Sequence, residues 1–191
     1  MCSSNLSNEP DAPSAWRFSI DVASSWEREF FAAATPRTRK IALRSAIIMS
    51  PDRGGAFSIL SLLVRAGLGG KAGSGDQFVS WIHDADFVRA IDFLIAQERL
   101  DGCINLCAPG PLPNREFMRA LRQAWHARFG LPATEMMLEI GAFFLRTETE
   151  LILKSRRVVP QRLTDAGFEF LFSDWPGAAR ELADRRRKQG A

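Results

Sequence analysis

The 191-residue chain contains no tyrosine, only two histidines and only three cysteines. Without tyrosine there is no Tyr-Lys pair in which a lysine lowers the pKa of the phenol and lets it transfer a proton. Cys2, Cys103 and Cys107 form no C-x-x-C pair, and two histidines do not complete a zinc site at ligand spacing. We therefore expect neither a metal site nor a catalytic residue of these types.

Long apolar runs are missing as well. None approaches the roughly 20 residues that span a bilayer. The first 15 residues have no basic or apolar region of the kind found in a signal peptide. Together with the sparse cysteines, these absences predict a cytoplasmic protein without a membrane partner. A hydrophobic fraction of 46% and a charged fraction of 25% are typical of a globular domain.

Positive and negative charges nearly balance along the chain, except near the C-terminus. The net charge is only +3, and residues 185–188 (RRRK) alone supply four cations. Such a tail is typical of a solvated helix end, where cations face the negative end of the helix dipole. A basic-tailed nucleic-acid binder is the alternative. We favour the helix end and predict no nucleic-acid partner.

Strands alternate with helices up to about residue 130, which predicts an α/β fold with parallel strand pairing. The apolar segments 39–50 and 102–109 are typical of strands buried on both faces of a parallel sheet. Apolar residues at helical spacing predict helices over 17–33 and 56–66, from Asp84 as N-cap, and from Pro113 along a stripe that reaches Phe129. Beyond Pro132 we expect mainly helix, with short extended pieces at 155–160 and 168–172, a helix ended by Gly167, and a last helix from Pro176.

A glycine-rich stretch, GLGGKA at residues 67–72, fits the spacing G-x-G-x-x-A. A dinucleotide site needs that motif to leave a strand and open a helix, so that the helix N-terminus meets the pyrophosphate. Here the motif leaves a predicted helix and enters an extended segment. We expect a flexible loop over a pocket instead.

Arg44 interrupts the apolar strand IALRSAIIM and needs an anionic partner if it is buried. The partner is either a carboxylate in a structural ion pair or an anion, such as phosphate, at the end of the strand. His83, next to Asp84, fits either a capping role or a His-Asp pair that fixes the imidazole tautomer. His126 is expected to be inert.

Two further pairs of residues are assigned structural roles. Glu148 and Glu150 are two apart, so on a helix they do not face each other, and we expect ion pairs with neighbouring basic residues. Cys103 and Cys107 would lie about 13 Å apart on a regular strand, too far for a disulfide between them. Both are expected to be small buried hydrophobic residues.

Four segments together resemble the epimerase-type atypical short-chain dehydrogenases/reductases, the NAD-dependent epimerase or cell-division-inhibitor-like family. They are ALRSAIIMSPDRGGAF (42–57), GLGGKAGSGDQFVSWIHDADFVRAI (67–91), NLCAPGPLPNREFMRAL (105–121) and LILKSRRVVPQRLTDAGFEF (151–170). Residues beyond about 132 resemble that family's C-terminal domain of unknown function (DUF1731). The resemblance implies a partial Rossmann-like sheet without its N-terminal half, plus a mostly helical C-terminal subdomain.

The domain boundaries follow from this resemblance. Residues 1–15 are predicted to be a loop or disordered tail. Residues 16–130 would form the C-terminal half of a Rossmann-like epimerase domain, and residues 131–191 a helical subdomain with the basic tail.

The resemblance also implies site residues. In active relatives the glycine-rich turn for NADP lies in the N-terminal half, and the helix matching 17–33 carries Tyr-x-x-x-Lys. This chain reads WRFSIDVASSWE in that helix and has neither residue, so no catalytic residue is assigned. The implied cofactor contacts are Arg44, Met49, Ser50 and Pro51, and the implied substrate-pocket residues are Gln77, Trp81 and His83.

We therefore expect a truncated epimerase-family protein of unknown substrate, NADP-linked only if the N-terminal half is supplied and inactive alone. The alternative is a non-catalytic interaction module related to the cell-division-inhibitor-like epimerases. Central strands without their neighbours leave backbone edges uncovered. We accordingly expect the partner to be an N-terminal half or a second copy of the chain, and the isolated chain to be marginally stable or to self-associate.

Overall fold

The computed structural model of the protein describes residues 14–132, 155 and 157–189. Its helices are α1 (Ser14–Ala32), α2 (Ala56–Arg65), α3 (Asp84–Ala96), α4 (Asn114–Ala124), α5 (Gln161–Asp165) and α6 (Trp175–Gln189). Its strands are β1 (Ile41–Ser45), β2 (Ile47–Met49), β3 (Phe78–Val79), β4 (Trp81–His83), β5 (Gly102–Leu106) and β6 (Leu112–Pro113). The order of elements confirms the predicted α/β class.

The first long apolar segment is divided into two strands that pair with different partners. β1 lies parallel to β5, and β2 lies parallel to β4, with Met49 opposite His83. Only Ala46 separates β1 from β2, and its N–H still donates to the carbonyl of Leu106 at 3.0 Å. The segment therefore changes partner at Ala46, which apolar patterning alone does not reveal. The parallel pairing itself is as predicted.

The larger core lies between β2, β4 and helices α2, α4 and α6. Trp175 is stacked on Phe117 with ring centroids 4.1 Å apart and meets Trp81 edge-on at 5.0 Å. α6 presents a row of small and apolar residues to this core, all fully buried: Ala178, Ala179, Leu182 and Ala183. Short side chains at these positions let the helix approach α4 closely. The C-terminal helix is thus an integral part of the fold.

The prediction that β1 is buried on both faces is wrong. None of its five residues is buried, and Leu43 is 41% exposed. The reason is that β1 pairs only with β5, so no described strand lies along its other edge. α1 matches the predicted helix, but its apolar stripe faces solvent, with Trp26 74% exposed. No described side chain of α1 is buried.

The glycine-rich loop joins α2 to β3 and is held by hydrogen bonds rather than lying free. The N–H of Gly70 donates to the carbonyl of Leu131 at 3.0 Å, and Arg122 donates to the carbonyl of Gly69 at 2.6 Å. A Cβ on Gly70 would come within 2.4 Å of the Leu131 carbonyl oxygen. Glycine is required here for the close approach of two backbone segments, and the loop does not open a helix as a dinucleotide turn would.

Several predicted boundaries need correction. The N-cap of α3 is His83, whose Nδ1 accepts from the N–H of Ala85 at 3.1 Å, rather than Asp84. α4 ends at Ala124, so Phe129 leaves its stripe and is 73% exposed. The chain turns away at His126, which has a positive φ of 55°.

Of the two extended pieces predicted near the C-terminus, neither residues 168–172 nor the described residues of 155–160 (155 and 157–160) form a strand. Gly167 follows the C-cap of α5 with φ of 86°, as its predicted role requires. The helix predicted over 132–153 lies almost wholly outside the described residues. No helix among the described residues is both long and apolar enough to cross a membrane.

Candidate functional site

Arg44 lies on β1 and binds a carboxylate of α1. Its Nε and Nη2 donate to Oε1 and Oε2 of Glu27, each at 2.7 Å. Both side chains are about one-fifth exposed, so water screens the pair only partly. The hydrogen bond from Arg44 holds the pKa of Glu27 below its ordinary value. The structure thus shows the ion-pair interpretation of Arg44, and the two-point contact fixes α1 against the sheet.

Met49, Ser50 and Pro51 end β2 and open the loop to α2. Met49 is fully buried, whereas the Ser50 hydroxyl donates to Oδ2 of Asp52 at 2.7 Å. The carbonyl of Pro51 accepts a hydrogen bond from Nη1 of Arg186 on α6 at 2.9 Å. The loop is therefore fastened to the C-terminal helix. The role of these three residues as cofactor contacts stays a prediction.

Trp81 is enclosed in the larger core. It is fully buried, and its indole N–H donates to the carbonyl of Gly110 at 3.1 Å. Its ring lies against Trp175 of α6. Because β2 and β4 are adjacent, Trp81 lies opposite Ile47 in the ladder. The structure therefore places Trp81 beside the strand that carries the predicted cofactor contacts, although its ring is covered by α6.

His83 joins β4 to the C-terminal helix. It is 1% exposed, and its ring is stacked on Phe172 with centroids 3.8 Å apart. Nδ1 accepts from the Ala85 N–H at 3.1 Å and lies 3.0 Å from Oδ1 of Asp84, and Nε2 lies 2.8 Å from Oε2 of Glu181. The structure thus shows capping, one of the two roles predicted for His83, and adds a carboxylate partner that sequence did not identify.

Gln77 lies between the glycine-rich loop and α4. Its side-chain amide N–H donates to the backbone carbonyl of Ala72 at 2.8 Å, and its backbone carbonyl accepts from the backbone N–H of Asn114 at 2.8 Å. Its Oε1 is buried and has no hydrogen-bond partner. None of these hydrogen bonds connects Gln77 to His83. The three predicted pocket residues therefore lie in one continuous segment that ends with β4, and Trp81 and His83 are buried there. Their role toward a substrate stays a prediction.

Asp84 and Arg185 form a second link between α3 and α6. Arg185 donates to both oxygens of the Asp84 carboxylate at 2.9 Å. Burial raises the pKa of Asp84, but the hydrogen bonds from Arg185 and the nearby charges outweigh it, so the pKa lies below its ordinary value. Glu181 lies 3.6 Å from Arg185 as well. Arg185 and Glu181 of α6 therefore have structural roles in the described fold.

Asp86 is a buried hub that sequence analysis missed. It is 0% exposed, and its two oxygens accept the N–H groups of Leu171 and Phe172 at 2.9 and 2.8 Å. Arg89 donates to the same carboxylate at 2.8 Å and pairs with it. The hub attaches the segment after α5 to α3. The available signal was a second aspartate in the first turn of α3, two residues after Asp84.

Comparison with known proteins matches this arrangement to one group of relatives. The chain is 30% identical to the human epimerase family protein SDR39U1 over 177 residues, covering 91% of the chain and 58% of the relative. It is 34% identical to the epimerase family protein MT2273 of Mycobacterium tuberculosis over 155 residues, covering 80% and 50%. Residues 133–182 match the domain of unknown function DUF1731.

The chain belongs to the epimerase family. The crystal structure of human SDR39U1 with NADPH superimposes with a TM-score of 0.75 at 29% identity, covering 86% of this chain and 55% of the human one. A nucleoside-diphosphate sugar epimerase from Corynebacterium glutamicum gives 0.65 at 25% identity, covering 90% and 33%. The fold is therefore the Rossmann-like fold of the epimerases. The chain spans about half the length of the curated relatives it matches.

The two cysteines within the described residues of this epimerase-family chain, Cys103 and Cys107, offer no nucleophile. Cys107 is a free, buried thiol, and burial raises its pKa to about 12, so it stays protonated at neutral pH. Its predicted role as a small buried hydrophobic residue is confirmed. Cys103 is disulfide-bonded, so the same prediction is wrong for Cys103. Within the described ranges no group of three or more His, Cys, Asp and Glu could hold a metal ion.

Glu148 and Glu150, predicted to form ion pairs, lie outside the described residues, as do 23 of the 50 residues of the DUF1731 match. The described part of the C-terminal subdomain nevertheless shows what it contributes. Glu181 and Arg185 of α6 engage His83 and Asp84, which stand where β4 passes into α3. The C-terminal helix therefore holds the strand end that carries the predicted substrate-pocket residues.

Proposed function

We propose that this chain is the C-terminal part of an NADP-linked oxidoreductase or epimerase that becomes complete only when a glycine-rich N-terminal half joins it. Alone, the chain would be inactive. The single observation that carries this proposal is the uncovered surface of α1 and β1. The described residues do not identify the substrate, which would be selected by the completed active site.

The uncovered surface joins an open strand edge to an aromatic helix face. Among the described strands β1 pairs along one edge only, with β5, and Leu43 on it is 41% exposed. Phe18, Trp26 and Phe30 of α1 are 75%, 74% and 44% exposed. An unpaired parallel strand with apolar neighbours is a template for another strand. A polypeptide that adds parallel strands beside β1 would cover both features at once.

The described residues do not fit NADP by themselves. The guanidinium of Arg44, one of the predicted cofactor contacts, is already bound at two points by Glu27. Met49 is fully buried, and the glycine-rich loop follows a helix instead of opening one. The human relative was solved with NADPH, and this chain covers 55% of it. The cofactor site is accordingly proposed for the completed protein and not for this chain.

A second function is favoured by α1 itself. The chain has no tyrosine, so α1 lacks the dyad that the family resemblance implies for active relatives, while keeping a large exposed aromatic face. A helix face of this kind is typical of a protein-binding surface. In this alternative the chain is a non-catalytic interaction module that uses the same surface and needs no nucleotide.

The test is an NADPH titration followed by nicotinamide fluorescence, with the chain alone and with the separately produced N-terminal half of human SDR39U1. We expect no binding alone and a Kd below about 10 μM, roughly 7 kcal/mol, for the mixture. Trp26→Asp should abolish the gain, because it places a charge in the contact surface. Phe129→Asp, at a similarly exposed aromatic residue outside that surface, should not.

The outcomes separate the two functions. Binding of NADPH by the chain alone, through a site it builds itself, would overturn the requirement for a second half. A stable, Trp26-dependent complex of the halves that binds no NADPH would favour the interaction module. A monodisperse monomer with a cooperative, high-temperature melt and no complex with the N-terminal half would contradict both.

A further inference from the structure

A basic cavity of about 500 Å³ opens on the side of the molecule formed by the ends of α2, α4 and α6. Its wall is unusually rich in one residue type, since four of its seven lining residues are arginines. The lining residues are Asp52, Arg53, Arg65, Trp125, Arg186, Arg187 and Gln189. No predicted cofactor or substrate residue is among them.

Two of the arginines are fixed by the backbone around the cavity. Arg186 donates to the carbonyl of Pro51 at 2.9 Å, and Arg187 donates to the carbonyl of Ala124 at 3.2 Å. Arg187 also pairs with Asp184 on its own helix. The bond to Ala124 lies at the carboxyl end of α4, where a cation offsets the negative partial charge, and the bond to Pro51 ties α6 to the loop after β2. They also hold the two guanidinium groups at set positions on the cavity wall.

Trp125 organises a third arginine. Its indole N–H donates to the Ser61 hydroxyl at 3.0 Å, which fixes the ring at the end of α4. The guanidinium carbons of Arg65 and Arg187 lie 5.4 and 5.5 Å from the ring centroid. A guanidinium that lies over an aromatic ring keeps its N–H groups free at the edge, and less rotamer freedom is lost when a ligand binds.

The positive charge of the cavity is not balanced by the described residues. Asp52 is the only carboxylate in the lining, and one of its oxygens already accepts from Ser50. Arg53 and Arg65 form no ion pair with any described carboxylate, and neither donates to a helix carbonyl. Dipole compensation accounts for Arg65, Arg186 and Arg187, which lie in the last turns of α2 and α6, but it leaves Arg53 without a structural role among the described residues.

We propose that this cavity binds a small molecule that carries at least two phosphate groups. The planar fork of arginine matches phosphate oxygens with two parallel hydrogen bonds. Arg53 and Arg65 form no hydrogen bond with a described residue and so supply two free forks, one for each phosphate group, while Arg186 and Arg187 add positive charge beside them. The cavity lies wholly within this chain, so the site needs no N-terminal half. It is independent of the completed NADP site proposed above.

The test is calorimetric titration of the full chain with inorganic pyrophosphate at low salt. We expect a Kd of about 10–100 μM and weaker binding of orthophosphate by about tenfold or more. Arg53→Gln and Arg65→Gln should each weaken pyrophosphate binding by about tenfold. Arg53 and Arg65 are chosen because neither side chain forms a hydrogen bond or ion pair with a described residue. Arg65→Gln also removes the contact with the Trp125 ring, so thermal unfolding of each variant checks that the fold is kept, and Arg53→Gln should match the wild type. Arg180→Gln, an exposed charge change on α6 outside the cavity, should change the Kd less than about twofold.

Three results would overturn the proposal. Equal weakening by Arg180→Gln and Arg65→Gln would mean diffuse attraction by a basic surface rather than a site. Equal affinity for orthophosphate and pyrophosphate would remove the requirement for two phosphate groups. Binding of duplex DNA together with no binding of pyrophosphate would assign the basic surface to nucleic acid instead.

Discussion

Two sides of this molecule, built from the same short chain, differ in how completely they are covered. On the open side, defined by Phe18, Trp26, Phe30 and Leu43, the least exposed of these four side chains is still 41% exposed. On the closed side, Trp81, Phe117, Trp175 and Leu182 are each at most 1% exposed. Apolar residues recur at helical spacing on both sides, in α1 on the open side and in α4 on the closed side. The difference shows that a pattern of apolar residues predicts that a surface is buried but does not identify the element or partner that buries it.

The two sides also differ in their polar contacts. The open side has one two-point ion pair, between Arg44 and Glu27. The closed side links β4 and α3 to the C-terminal part of the chain through three carboxylates: Asp84, Asp86 and Glu181. If the comparison is correct, mutations on the closed side should cost stability, whereas truncation of the exposed aromatic residues on the open side should mainly affect association.

The largest effect is expected for Trp175→Ala. This change removes the stack on Phe117, the edge contact with Trp81 and the hydrogen bond from the indole N–H to the carbonyl of Phe117 at 2.9 Å. The free energy of unfolding should fall by about 3–5 kcal/mol, as for other large core truncations. Urea unfolding followed by far-UV circular dichroism measures it.

The matched control is Trp26→Ala on the open side. Because Trp26 is 74% exposed, its loss should change the free energy of unfolding by no more than about 0.5 kcal/mol. A large loss at Trp26, or a small one at Trp175, would mean that the open side is already covered in solution. Self-association of the chain would produce that result, and sedimentation would detect it.

A somewhat smaller effect is expected for Asp86→Asn. The neutral amide cannot accept two backbone N–H groups and the Arg89 guanidinium through two equivalent oxygens, so buried donors lose partners. The free energy of unfolding should fall by about 2–4 kcal/mol. Asp92→Asn on the exposed face of the same helix removes the same charge and should cost less than about 0.5 kcal/mol. Equal losses would show that helix charge, not the hub, is responsible.

The sequence predicted local structure well where local forces decide it. α1, α2 and the start of α6 lie within about three residues of their predicted positions, because helical spacing of apolar residues and the proline and glycine signals act over a few residues. The partner change at Ala46 was not predictable, since it depends on where β4 and β5 end in space. Burial of β1 was predicted wrongly for the same kind of reason.

The candidate site was predicted less completely than the fold. Arg44 was recognised as needing an anion, but its partner Glu27 lies 17 positions earlier on another element. His83 was placed at a strand-to-helix junction, while its carboxylate partner Glu181 lies 98 positions away. Partners so distant in sequence leave no periodic signal. Only the folded chain brings them together.

The smallest effect, and the one that defines the open side most sharply, concerns the pH dependence of the Arg44–Glu27 pair. The pKa of Glu27 lies below its ordinary value of 4.5 in the folded chain, so the pair stabilises the fold above that value and the contribution is lost as pH falls through the folded pKa. Glu27→Gln should therefore cost about 1–2 kcal/mol at pH 7, and the difference from wild type should shrink as the pH falls below 4.5. Glu29→Gln, at a 77% exposed side chain on the same helix, should cost almost nothing at either pH. A Glu27→Gln cost that does not change with pH would mean that the side chain acts through packing, and α1 would then be held on the sheet by something other than this ion pair.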